Sequence, residues 1–157
     1  MMEDDGRPGP VGERADIQDR KDIEELVRAF YHEVLQDPFI GPLFTEVAHI
    51  DMASHLPVMA DFWESALLMP GIYRRNALRA HRDLHAKSPL SSDHFARWLQ
   101  LWTTTVRSLY TGPVADRAIV KANAVAQALF RNTTGEGRLR PAQEVLVIGR
   151  GPDRHDV

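Results

Sequence analysis

The 157-residue chain has no cysteine. That excludes disulfides, thiolate metal sites and a cysteine nucleophile. No stretch approaches the ~20 apolar residues of a membrane-spanning helix. There is no glycine-rich phosphate loop, no Gly-x-Ser-x-Gly turn, no internal repeat and no useful run of alternating hydrophobicity. Nor is base in excess. Nineteen Lys and Arg face 22 Asp and Glu, for a net charge of −3, which leaves no electrostatic footprint for nucleic acid or an anionic membrane. The first dozen residues hold no apolar signal segment, so cytoplasm is the expected compartment. What remains is 43% apolar residue, enough for the core of one domain.

That core reads as all-α. Ile23, Leu26, Val27, Phe30, Tyr31, Val34 and Leu35 share one face of a first helix, with Asp22 and Glu25 at capping-box spacing and Asp37-Pro38 as its end. A turn-rich connector, Phe39 to Phe44, is too apolar to be solvated and is expected to plug one end of the core. Asp51 is the N-cap candidate of a second helix carrying His55, Met59, Phe62, Trp63, Ala66 and Leu67. Pro57 predicts a kink there, or a short first turn ending near Leu56. Leu78, His81, Leu84 and His85 share a face of a short helical segment limited by Pro89. Ser91-Ser92 caps a third long helix with Phe95, Trp98, Leu99, Trp102, Val106 and Leu109 on its stripe, and Gly112-Pro113 stops it. A fourth long helix runs from about Val114 to Phe130 with alanines on its inner face. Flexible tails are expected over residues 1–18 and 133–157, flanking a globular domain over 19–132. The apolar run Val145 to Ile148 has no evident mate.

Tyr31 and the indoles of Trp98 and Trp102 carry polar atoms on apolar faces, where each needs a partner. Ordinary core packing explains each of them singly, and it also explains Phe44, Met59 and Phe62. His81 and His85, one turn apart, have the spacing of a zinc pair, but no carboxylate lies in a matching pattern nearby.

The order of residues says more than any one of them. Phe30-Tyr31, then Asp37-Pro38-x-x-Gly-Pro-x-Phe44, then His55-Leu56, then Phe62-Trp63, then Tyr73 and His81, then His94-Phe95-x-x-Trp98-Leu99 resembles a group III truncated haemoglobin over roughly residues 20–131. Departures are Arg75 and Ala77 where the family carries Gly and Pro, and Met52 where it often carries Trp. The resemblance implies a two-on-two helical sandwich around haem b, with His81 as the iron ligand. It implies Tyr31, His55 and Trp98 as the polar residues that face a bound diatomic. Phe44 matches the ring packed on the porphyrin, Met59 an apolar wall residue, and Phe62, Leu78 and Leu84 complete the expected haem contacts. His85 is the rival ligand.

The expected function is reversible binding of O2 and of other diatomics such as NO and CO. A neutral imidazole suits iron, and a single protein ligand leaves the sixth position open. Fixed O–H and N–H donors favour the partial charge on bound O2 over the smaller charge on CO. Redox turnover, as an NO dioxygenase or a peroxidase-like enzyme, would need a separate reductase. The rival is a helical interaction or regulatory module without haem, whose aromatic stripes are pure core.

Overall fold

The computed structural model describes residues 14–69 and 77–135, apart from the side chains of Ala77 and Leu78. The regular structure in that range is all helical: α1 (Arg20–Gln36), a π-helical turn (Leu43–Val47), α2 (Met52–Leu67), α3 (Ala77–Lys87), α4 (Ser92–Leu109) and α5 (Pro113–Thr134). Helix α1 packs on α2 and α4 on α5. These two pairs meet through α1 against α4 and α2 against α5, and the short α3 lies on α5. This is the two-on-two sandwich expected from the sequence. No described helix is long and apolar enough to cross a membrane. The Val145 to Ile148 run lies outside the described residues.

Helix α1 begins earlier than the Asp22–Glu25 spacing predicts. Its cap is Asp19, whose carboxylate accepts the Asp22 N–H at 3.1 Å, while the Asp22 carboxylate accepts the Gln18 N–H at 2.8 Å. One orphan donor of the first turn, the Asp22 N–H, is thereby satisfied, and the residue before the cap is tied to the same turn. Glu25 is engaged elsewhere and accepts the Tyr110 hydroxyl at 2.7 Å. Residues 14–18, assigned to the leading tail by the sequence, lie along the fold. Ile17 is buried, and the Asp16 carboxylate accepts the N–H groups of Val114 and Ala115 at 2.9 and 2.8 Å, capping α5. Gly112, at φ +143, must stay bare, because a Cβ there would stand 2.4 Å from the Asp16 carboxyl carbon.

The short first turn expected to end near Leu56 does not form. Helix α2 continues through it from Met52 to Leu67, with Asp51 as N-cap. Proline removes one backbone bond, and the first turn is secured without it, since the Asp51 carbonyl accepts the N–H groups of Ser54 and His55. Helix α5 runs on to Thr134 and ends on Gly135 in the left-handed conformation that suits glycine at a helix terminus. Its buried alanines, Ala115, Ala118, Ala122 and Ala126, let α4 approach closely. The indole N–H of Trp102, a fully buried residue, donates to the Ala118 carbonyl at 3.1 Å.

The connector between α1 and α2 folds back tightly. A Cβ on Gly41 would stand 2.9 Å from the Val34 carbonyl oxygen. The buried Asp37 holds this corner. Its carboxylate accepts the N–H groups of Phe39 and Ile40 at 3.1 and 3.0 Å and pairs with Arg97 of α4 at 2.7 Å. The corner thus swings Ile40, Leu43 and Phe44 inward.

Candidate functional site

Between the helix pairs lies a cavity of about 410 Å3 with largely apolar walls. Its size and its few convergent polar groups are those of a small-molecule or cofactor site. Tyr31 enters from α1, Phe44 from the π-helical turn, His55, Met59 and Phe62 from α2, His81 and Leu84 from α3, and Trp98 from α4. Every site residue singled out in the sequence therefore lines one cavity, except Leu78, whose side chain lies outside the described residues.

The α1 and α2 walls are joined. Tyr31 Oη and His55 Nε2 are 3.1 Å apart, with the rings edge-on at 5.0 Å and 85°. Phe44 packs edge-on against Tyr31 at 5.7 Å. Burial pushes the Tyr31 phenol up, so the hydroxyl keeps its proton. Burial pushes the His55 imidazole down, and the facing charge of His81 adds to the effect. Trp98 and Trp102 part company here. Trp102 is satisfied core, whereas Trp98 lines the cavity and its indole nitrogen has no acceptor among the described residues.

His81 and His85 also divide. His85 does not line the cavity. Its Nδ1 accepts the Leu90 N–H at 2.8 Å and closes the turn after α3. Among the described residues no three His, Asp or Glu side chains gather as a metal cluster, so the zinc reading finds no ligand set. A metal held by His81 would have to bring other ligands with it. A tetrapyrrole does so, and one imidazole, apolar walls and an indole N–H with no acceptor among the described residues fit such a group.

Several lining residues carried no role in the sequence reading: Ile50 and Val58 beside His55, Leu90 after α3, and Val125 and Leu129 of α5. His94 is the most telling. Its Nδ1 accepts the Ser91 N–H at 2.9 Å, filling the capping-box place usually held by Glu, and its ring stacks on Phe39 at 4.6 Å and 8°. Burial lowers its pKa, and the neighbouring Asp93 works against that shift. The spacing from Ser91 was the available signal. The cavity wall on its other side was not.

No family model matches the chain. In sequence it is 26% identical over 110 residues to the group 3 truncated hemoglobin ctb of Campylobacter jejuni, covering 68% of this chain and 84% of that one. In structure it matches the group III truncated hemoglobin from Campylobacter jejuni with a TM-score of 0.67 at 22% identity, over 75% of this chain and 93% of that one. It matches the 2/2 hemoglobin from Synechococcus sp. PCC 7002, solved in the cyanomet state and with covalently attached heme, with a TM-score of 0.66 at 21% identity, over 76% and 94%. The chain has the truncated-globin fold, and its likeness in sequence is to the group III truncated haemoglobins, as the order of its core residues indicates.

Proposed function

We propose that this chain holds haem b in the cavity, with His81 as the protein ligand to iron, and takes up a diatomic ligand such as O2, NO or CO. The observation that carries the reading is the arrangement of polar groups around one apolar cavity. His81 stands on α3, while Tyr31, His55 and Trp98 come from α1, α2 and α4. The relatives' names and the heme in the Synechococcus structure support the same group. Haem, when bound, supplies an open coordination position for the gas. The chain supplies the rest.

Phe44, Met59, Phe62 and Leu84 present flat or flexible apolar surface to a macrocycle and keep water out. Leu78, on the same helical face as His81, completes the proposed contact set. Tyr31 and His55 share a proton across 3.1 Å. When His55 Nε2 carries the hydrogen, the Tyr31 O–H is released to donate into the cavity. Trp98 adds an N–H that has no acceptor among the described residues. Fixed donors in a dry site favour a ligand that gathers negative charge, because they need no reorganisation when it arrives. O2 is therefore favoured over CO.

Turnover, as NO oxidation or a peroxidase-like reaction, belongs to the same proposal. Its electrons have to come from a separate reductase. The deciding experiment is a haem titration of the purified protein with spectra of the ferric, ferrous and CO forms. A strong Soret band with a histidine-ligated ferrous spectrum is expected. A protein that stays colourless and gains no thermal stability from added haem is the helical interaction module instead.

A further inference from the structure

Trp63, Trp102 and Trp98, all the tryptophans of the sequence, form one column of parallel rings. Trp102 stacks on Trp63 with ring centroids 4.3 Å apart and 19° between planes, and lies parallel to Trp98 at 6.1 Å and 2°. Trp98 and Trp102 are four residues apart on α4, so their rings follow one another along one face, and Trp63 reaches in from α2. Both outer members, Trp98 and Trp63, line the cavity, while Trp102 does not and is 0% exposed. Filling a core does not require such alignment. Phe30 packs on Trp98 and Trp102 edge-on instead, at 82° and 81°.

We infer that this column is an electron donor to the cavity. It gives up one electron when an oxidant forms there, and the positive charge left behind is shared by the stacked indoles with Trp102 at its centre. The inference rests on the haem reading for its physiological oxidant, a hydroperoxide cleaved at the iron. Breaking the O–O bond of hydrogen peroxide there takes two electrons. One comes from the metal and one from the column. Both peroxide hydrogens leave with one oxygen as water, the other oxygen stays with the metal, and no bond to the protein forms.

The indole proton of Trp102 stays where it is. Its acceptor, the Ala118 carbonyl, is too weak a base to remove it, yet the hydrogen bond strengthens once the ring is charged. Spreading the charge over three rings offsets part of the cost of holding it in an apolar interior. Tyr31 is the competing donor in the cavity. Oxidising a phenol releases its proton, and the base within reach is His55 at 3.1 Å. Burial disfavours the charged form of that imidazole, so it takes a proton reluctantly.

The test is freeze-quench electron paramagnetic resonance of haem-loaded ferric protein mixed with hydrogen peroxide. One sample carries ring-deuterated tryptophan and another ring-deuterated tyrosine. The expected result is an organic radical whose spectrum narrows only in the tryptophan sample, and which is lost in Trp102→Phe while haem uptake is retained. A radical that narrows only with tyrosine, one that survives Trp102→Phe unchanged, or no organic radical at all overturns the inference. Should Trp102→Phe not fold, the wild-type hyperfine pattern decides. Spin shared between rings supports the column, and spin confined to a single indole refutes it. Should the protein take up no haem, the haem reading fails separately, and the column is tested in haem-free protein with azidyl radicals made by pulse radiolysis. An indole radical that outlives the one in Trp102→Phe supports the column, and equal lifetimes refute it.

Discussion

The Tyr31 hydroxyl and the His55 imidazole, 24 residues apart in sequence, meet at 3.1 Å and share one proton across the cavity wall. Removing either partner changes what the other can offer a ligand. Tyr31→Phe deletes an O–H donor and should speed O2 dissociation, by an amount corresponding to about 1–3 kcal/mol for a donor lost from a buried site. Trp98→Phe should act in the same direction. Stopped-flow O2 release from the two single variants and the double variant checks this, and unchanged rates in all three would remove the distal role of both side chains.

His81 and His85 should behave differently as alanine variants. His81→Ala is expected to abolish histidine-ligated ferrous haem. His85→Ala should keep it and cost about 1 kcal/mol through the Leu90 N–H left without its acceptor. Ferrous haem spectra and urea unfolding of both variants separate ligation from turn closure. Histidine-ligated haem persisting in His81→Ala would move the ligand elsewhere.

The haem-free protein should lose stability on mild acidification. His55 and His94 both have pKa values below 6.5, the ordinary imidazole value, chiefly because of burial. Below that value the unfolded chain binds protons that the folded chain resists. Their contribution is thus fully present above pH ~6.5 and declines as pH falls through the depressed folded values. Thermal melts between neutral and mildly acidic pH should show this fall, reduced in His55→Leu. A melting temperature as steep in pH for that variant as for the wild type would contradict it.

Asp37 holds the corner that aims Phe44. Although burial opposes its charge, Arg97 and the N–H groups of Ile40 and Phe39 keep its carboxyl below the usual carboxylate range. Asp37→Ala strands two backbone donors and a guanidinium, and should cost about 2–4 kcal/mol by the scale of buried unsatisfied groups. Because the folded pKa is depressed, this support is present above pH ~3.9 and is lost as pH falls through the folded value. Arg97→Ala should cost less, since Arg97 is part-exposed and the backbone bonds to Asp37 remain. Denaturant titrations of both variants measure the difference.

Asp16 tests how far the fold reaches toward the N-terminus. It caps α5 with two backbone bonds, so Asp16→Ala should destabilise the protein by about 1–2 kcal/mol, the usual worth of an N-cap. A neutral effect on the melting temperature would return this segment to the tail.

Much of the frame was legible because helices announce themselves locally. The apolar stripes of α1 and α4 recur at the helical period, and most residues on them are buried; Leu35, at the end of the α1 stripe, is exposed, and Trp98 and Leu109 of α4 are half-buried. Helix starts were less legible. Asp19–Asp22 and Asp22–Glu25 have the same spacing, and what separates them is distant, since Glu25 is taken by Tyr110 and Ile17 is anchored in the core. Pro57 does not end a first turn near Leu56, because the Asp51 carbonyl secures that turn without help from that residue. His94 passed as one member of an ordered set, since nothing in its own neighbours shows that the far side of its ring meets a cavity.

By itself, the sequence determined that this chain is all-helical, where its stripes face, and which polar-bearing rings must find partners. Periodicity and composition are properties of the local chain, so they can be read along it. Only the tertiary structure decided that His81 faces the cavity while His85 closes a turn, and that Trp98 lines the cavity with no acceptor among the described residues while Trp102 donates to Ala118. Those pairs are separated by a single helical turn and look alike in sequence. Their fates diverge because helix packing, a contact between distant segments, sets which neighbour stands opposite each ring.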